Sequence, residues 1–252
     1  MIEDPFFYMM AVPAVVMIGL SKGGFGGAGA ILGVPLLMLA VDPVRAAAIL
    51  LPILVVMDIA GLYAWRGTYD VKSLAILLPG AVLGIGIGWL LAGTIGENQI
   101  RLIVGTIGLV FSLNHYLRRQ RSSEGRPANA AKGGFWGAVA GFTSFLAHAG
   151  GPPFQMYMLP LRLDPRLYAG TSVIFFAVVN AVKLPPYFFL GQFSAANLAT
   201  SAVLLPIAPF ATLFGAWLVK MVSPHFFYAL SYAMVLLVSV KLIFDGVSAL
   251  LS

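Results

Sequence analysis

Five stretches of this chain contain no Asp, Glu, Lys or Arg: Gly23–Val41, Ser73–Gly96, Gly133–Leu161, Leu184–Val219 and Met221–Val240. A helix needs about 20 predominantly apolar residues to cross the hydrocarbon core of a bilayer, and each stretch reaches roughly that length. None alternates apolar and polar residues strictly, which argues against a transmembrane β-barrel. Inside lipid the backbone must satisfy its own hydrogen bonds, so helices remain. The composition agrees: 60% of residues are hydrophobic and 10% charged, where a soluble domain carries about 25% charged. The expected fold class is an all-α polytopic membrane protein, with about eight main transmembrane helices, or about ten segments when short arms are counted.

A net charge of +6 would suit a nucleic-acid ligand, but its distribution does not. Arg118, Arg119, Arg121, Arg126 and Lys132 cluster in one polar stretch, which reads as a cytoplasmic loop under the positive-inside rule. No soluble domain is left to hold nucleic acid, so none is expected as a partner. Without cysteine there is no disulfide, thiolate metal site or cysteine nucleophile. Met1-Ile2-Glu3-Asp4 lacks the basic start of a secretory signal, and the first apolar segment is expected to be retained.

Polar punctuation gives segments at 5–20, 26–41, 44–65, 72–95, 99–117, 133–149, 152–163, 166–190, 195–220 and 225–249. The linker 118–132 separates repeat one, 1–117, from repeat two, 133–252. In repeat one a Gly-rich break at Gly23–Gly29 precedes Val34-Pro35-Leu36 and Asp42-Pro43. In repeat two a break at His148–Pro153 precedes Leu159-Pro160-Leu161 and Asp164-Pro165. At the offset that relates the two Asp-Pro pairs, Asp58 matches Asn180. An ordered series of this kind points to duplication, common in secondary transporters. If each broken first segment is a re-entrant hairpin, each half crosses an odd number of times and the halves are inverted. Arg66, Lys72, Arg162, Arg166 and Lys220 then join 118–132 inside, with Glu3 and Asp4 outside. Single crossings would instead send Arg162, Arg166 and Lys220 outside, so charge favours inversion.

Gly24-Phe25-Gly26-Gly27-Ala28-Gly29 satisfies G-x-G-x-x-G. It lacks the preceding strand that a dinucleotide site needs. Gly80, Gly84 and Gly88, and Gly133, Gly137 and Gly141, suit close helix packing. Gly23, Gly24, Gly26, Gly27 and Gly29 are denser than packing requires. Each would destabilise a continuous helix by about 1 kcal/mol, so a break is expected, with backbone N–H groups free to attract an anion. Lys22 beside it adds a formal positive charge, or snorkels to the interface. Gly150 and Gly151 flank the second break, with His148 before them. Asp58 is the one acid well inside an apolar segment; it is a candidate for a coupling proton or for a helix–helix hydrogen bond. Thr171, Ser172 and Asn180 are candidate donors to a substrate oxygen. Lys183, ahead of Leu184-Pro185-Pro186, also lies within an apolar stretch and is a candidate to face a cavity or partner or to snorkel. The three histidines have no metal-ligand spacing, and no hydrolase motif occurs. No cofactor, metal site or catalytic residue is expected.

Gly19-Leu20-Ser21-Lys22-Gly23-Gly24-Phe25-Gly26-Gly27 leading to Gly33-Val34-Pro35-Leu36-Leu37, repeated more loosely after Gly141, resembles the sulfite exporter TauE/SafE family over essentially the whole chain. Gly170-Thr171-Ser172 matches a further element of that family; repeat one has Ala46-Ala47-Ala48 in the equivalent region. The resemblance implies a permease of the bacterial inner membrane for sulfite, organosulfonates or related small anions, driven by an ion gradient. A channel, or a carrier of small carboxylates, is the alternative, and a homodimer is compatible with the sequence. The expected site lies between the two breaks: Lys22, Gly23, Gly24, Gly26, Gly27, His148, Gly150, Gly151, Thr171, Ser172 and Asn180, with Asp58 for proton coupling.

The topology is testable in this cysteine-free background. A cysteine at position 3 should react with an impermeant reagent from outside, and one within 118–132 only from the cytoplasm. Cytoplasmic reactivity at position 3 would contradict inversion.

Overall fold

Helix starts in this chain are written by short polar side chains followed by apolar runs. Asp4 accepts from the Phe6 N–H, Asp70 from Ser73, Asn129 from Lys132, Asp164 from Arg166 and Ser194 from Asn197. Each satisfies a donor that the first helical turn leaves open. Pro5 and Pro165 stand at first helical positions, where a missing N–H is harmless.

The computed structural model of the chain describes residues 2–26, 36–37, 39–41, 43–92, 94, 97–117 and 125–251. Gly27, most of the expected segment 26–41 and residues 118–124 of the linker lie outside the described residues. Among the described residues the regular structure is entirely helical: α1 (Pro5–Lys22), α2 (Pro43–Ala64), α3 (Val71–Leu90), α4 (Glu97–Leu117), α5 (Ala130–Ala147), α6 (Gly151–Met158) with a 3-10 turn Leu159–Leu161, α7 (Pro165–Phe189), α8 (Ala195–Leu204), α9 (Ile207–Met221) and α10 (Pro224–Leu251). The protein is a polytopic helical membrane protein. Among the described residues five helices are long and apolar enough to cross a bilayer, and six spans result if α8 and α9, bent by 47°, are counted as one. Pro206 lies at that bend; it has no N–H for the preceding turn. The reading of about eight spans also counts α4 and α5. Polar residues open α4 (Glu97, Asn98, Gln99, Arg101), and α5 is rich in Gly and Ala, so both are less apolar.

Small residues bring helix backbones together. A side chain at Gly80 or Gly84 of α3 would strike the carbonyl of Gly134 or Ala138 on α5, and one at Gly137 or Gly141 would strike Leu77 or Ala81. Gly23 abuts Gly215 and Ala216 of α9, and Gly105 abuts Ser239 and Ile243 of α10. Without a hydrophobic drive between helices in lipid, such close approach is what packing can gain.

The contacts also give helix directions. Successive contacts 77 to 137, 81 to 141 and 88 to 145 make α3 and α5 run the same way, and 19 to 211 and 23 to 216 do so for α1 and α9. By contrast α2 and α7 run oppositely: Trp65 meets Gly170, Gly61 meets Val173, and Asp58 meets Asn180. The pair α4 and α10 is also opposed, with Gly108 at Ser239 and Gly246 at Leu102.

In the second half α6 returns alongside α5. Gly133 faces the Tyr157 ring, and the Arg126 N–H bonds the Pro160 carbonyl at 2.9 Å. Segments 64–72, 125–133, 160–168 and 220–228 gather at this end: Lys220 donates to the Ala64 carbonyl, Tyr228 to the Leu163 carbonyl, and Gly170 abuts Thr68. They carry Arg66, Lys72, Arg126, Lys132, Arg162, Arg166 and Lys220 against Asp70 and Asp164.

Two glycines of α3 separate packing from propensity. A Cβ at Gly84 collides with the Ala138 carbonyl, whereas one at Gly86 meets nothing within 4 Å. Gly84→Ala should lower the melting temperature of the purified protein. Gly86→Ala should leave it unchanged or raise it, since Ala is favoured over Gly in a helix by about 1 kcal/mol. Equal melting of the two variants would contradict the α3–α5 contact.

Candidate functional site

A charged side chain at the centre of a spanning helix costs about 2.5–3.5 kcal/mol on insertion scales, so one that persists there needs partners. Asp58 lies inside the span Arg45–Ala64 and is 4% exposed. One of its carboxylate oxygens lies 2.6 Å from Lys22 Nζ at the end of α1. The other accepts from Asn180 Nδ2 on α7 at 2.7 Å. Lys22 is likewise buried, so it does not snorkel. Asp58 and Asn180, which the repeat matches, therefore touch each other across the antiparallel α2–α7 crossing.

Lys183 lies one helical turn beyond Asn180. Of the two roles open to it, the structure excludes snorkelling: Lys183 is fully buried within α7. Its Nζ donates to the Ser144 carbonyl at 3.3 Å and to Ser144 Oγ at 3.2 Å, and lies 3.3 Å from His148 Nδ1. Tyr187 Oη is 3.4 Å from His148 Nε2 and donates to the Phe145 carbonyl at 3.2 Å. With Lys183 protonated, and so only a donor, Nδ1 is the acceptor and the imidazole proton sits on Nε2, directed at Tyr187. Among the described residues Lys183 has no carboxylate within ion-pair distance.

These side chains border one cavity of about 30 Å³, lined by Lys22, Ser144, His148, Gly151, Asn180 and Lys183 and closed by Ile18, Leu50, Leu54 and Phe176. A cavity of that size has room for a water molecule beside its polar side chains. The offset of 122 residues between Asp58 and Asn180 also relates Lys22 to Ser144 and Gly61 to Lys183. Each half thus contributes one lysine, from non-equivalent positions.

The first break is joined to α6, the helix after the second break, but its backbone is used differently from the expectation of free N–H groups at the glycines. The N–H groups of Gly23, Gly24 and Phe25 bond the carbonyls of Gly19 and Ser21. Gly23 packs on α9 and its carbonyl accepts from Trp65 Nε1 at 2.7 Å. Gly26 has φ +73°, which favours glycine, and sits against Tyr168 and Gln155. Gln155 Nε2 of α6 bonds the Phe25 carbonyl at 2.8 Å and so ties the helix after the second break to the first break.

At the second break His148 takes a left-handed conformation that ends α5, pinned by Thr143, whose Oγ1 donates to the Ala149 carbonyl. Pro152 and Pro153 carry no N–H, so a donor from the start of α6 is left at Gly151, which lines the cavity. Gly150 packs on Ala140 and Ser144. Thr171 and Ser172 lie off the cavity: Thr171 Oγ1 accepts from the Asp70 N–H and donates to Leu167, and Ser172 Oγ donates to Ala169. Sequence reasoning left the role of Lys183 open and missed Ser144 and Gln155. Ser144 and Gln155 were visible as polar residues within the charge-free stretch 133–161. Among the described residues no group of three His, Asp or Glu side chains could hold a metal ion.

A family model described as Sulfite exporter TauE/SafE matches residues 11–242. No curated protein and no solved structure matches the chain.

Breaking a buried ion pair on one side costs about 3–5 kcal/mol, because it strands the other charge. Lys22→Gln and Asp58→Asn should each lower the melting temperature sharply, and the double variant should recover much of the loss. Additive losses in a double-mutant cycle would show that the two side chains do not interact.

Proposed function

The chain belongs to the sulfite exporter TauE/SafE family, whose members are membrane transporters, and we propose that it carries sulfite, an organosulfonate or a related small sulfur oxyanion across the bacterial inner membrane, coupled to protons through Asp58. The observation that carries this reading is Lys183: a fully buried cation without a carboxylate partner among the described residues, facing the same cavity as Lys22, Asn180 and His148. Two lysines stand against one aspartate there, so one negative charge balances the cluster while Asp58 is ionised, and two balance it once Asp58 is protonated.

An oxyanion leaving water must replace its hydration shell with other donors. Lys183 Nζ, Ser144 Oγ, Asn180 Nδ2 and the Gly151 N–H supply them at one place. Lys22 takes a double role in this scheme. It holds Asp58 while the site is empty and turns to the anion when the site fills. Asp58 then loses its partner, and uptake of a proton removes an uncompensated buried charge. Anion and proton occupancy are linked in this way.

The proposed architecture is a pair of inverted repeats, 1–117 and 133–252, with the basic end at the cytoplasm and the N-terminus outside. Its support is the opposed course of α2 and α7 and of α4 and α10, together with the gathering of seven basic residues at one end. Access alternates as one repeat rocks against the other around the shared site.

Proteoliposome uptake of sulfite, sulfate, thiosulfate, sulfoacetate and small carboxylates, with and without a pH gradient, tests the function. Saturable uptake of one of the sulfur anions, enhanced by the gradient, is expected. Lys183→Gln should weaken it by about tenfold or more, the equivalent of 1.5–3 kcal/mol for a hydrogen bond to a charged group. Asp58→Asn should lose gradient-driven uptake and keep anion exchange. Wild-type uptake in Lys183→Gln would move the site elsewhere, and flux linear in concentration would identify a channel.

A further inference from the structure

A second binding feature lies away from this cavity, on the outer surface where α2 and α9 end. A groove of about 450 Å³ runs there beside Tyr63, Arg66, Leu213, Trp217 and Lys220. Its two cations are held by rings and backbone. The Arg66 guanidinium sits 5.1 Å from the Tyr63 ring centre, and Lys220 Nζ sits 5.0 Å from that of Trp65. Lys220 donates to the Ala64 carbonyl at 3.2 Å, which uses one of its three N–H groups. Among the described residues neither cation has a carboxylate within ion-pair distance. Two exposed positive charges therefore flank one groove with donors to spare.

The apolar wall narrows the ligand class. Leu213, Phe214 and Trp217 are 40%, 53% and 51% exposed, and Phe214 stacks on Trp217 with ring centres 5.5 Å apart. They occupy successive turns of α9 leading away from Lys220 into the bent span that ends at Met221. On the neighbouring helix, Ala64 ends the span Arg45–Ala64. The groove thus has its charges at the end of two membrane-crossing helices and its apolar strip along the lipid-facing side. A soluble anion would pair with the cations and leave the strip unused. An amphiphile with an anionic head satisfies both.

We propose that this groove binds an anionic phospholipid, its headgroup phosphate between Arg66 and Lys220 and one acyl chain along Leu213, Phe214 and Trp217. The headgroup then rests on the Lys220–Trp65 contact, whose indole holds the Gly23 carbonyl at the end of α1. Lipid occupancy and the position of Lys22 are joined through that one side chain.

Bromine-labelled lipids test the proposal on the full-length protein. The wild type, Trp217→Phe and the double variant Arg66→Gln with Lys220→Gln are reconstituted in phosphatidylcholine vesicles. Each receives an equal small fraction of acyl-brominated phosphatidylglycerol or acyl-brominated phosphatidylcholine. In the wild type the phosphatidylglycerol should quench tryptophan fluorescence more strongly, with about a thirtyfold binding preference, the equivalent of about 1 kcal/mol for each cation. The excess should vanish in Trp217→Phe, which removes the reporter, and in the double variant, which removes the charges. All exchanged side chains are exposed, and retained thermal melting verifies the fold. Equal quenching by the two lipids, or an excess that survives the double variant, overturns the proposal. So does a Trp217 fluorescence change with inorganic phosphate in detergent while the two lipids quench alike, since the site would then serve a soluble anion.

Discussion

The contact of Lys22 with Asp58, and of Asp58 with Asn180, is the constraint around which the rest of the protein is arranged. A lone carboxylate inside a spanning helix is expensive, and one partner would leave its second oxygen without a donor. Here α1 supplies an ammonium to one oxygen and α7 an amide to the other. Three helices from both halves of the chain are thereby fixed at one depth. Gln155 adds a bond from the second hairpin to the Phe25 carbonyl, and Trp65 a bond from the end of α2 to the Gly23 carbonyl. The end of α1 is thus gripped on several sides, next to the cavity that holds Lys183.

In the proposed two-repeat architecture the charges differ between the halves. Corresponding positions put Lys22 opposite Ser144, Asp58 opposite Asn180 and Gly61 opposite Lys183. Each polar residue is explained by its neighbours. Ser144 gives Lys183 its oxygen acceptors, and Gly61 leaves room for Val173. An aspartate at 180 would place two carboxylates side by side, whereas asparagine donates to the one present. In the proposed transport scheme this asymmetry is what leaves a single unbalanced positive charge for the substrate.

Much of the helical frame was legible because lipid imposes a crude rule: charge-free stretches of sufficient length become helices. Asp4, Asp70, Asn129, Asp164 and Ser194 then mark starts. Asp58 stood out as an acid where acids are costly, and its match to Asn180 was visible. That the two would touch was not visible, because contact depends on how the halves cross. The segment 166–190 was legible as a helix, but not which way Lys183 points from it: a lysine there can reach a cavity or snorkel, and the choice depends on how α7 packs against Ser144 and His148. The glycines at 23 and 24 were read as free donors. Which N–H groups are paired depends on turn geometry, and here the Gly19 and Ser21 carbonyls take them. Thr171 followed a motif, but its hydroxyl is engaged with Asp70 and Leu167.

The central claim is that a small oxyanion sits between Lys183 and Asn180 at the α2–α7 crossing. Anomalous diffraction from crystals soaked in selenite, a heavier analogue of sulfite, tests it most directly. The account predicts an anomalous peak within hydrogen-bond distance of Lys183 Nζ, absent in crystals of Lys183→Gln. A peak elsewhere on the protein, with the cavity beside Lys183 empty at saturating selenite, would contradict it.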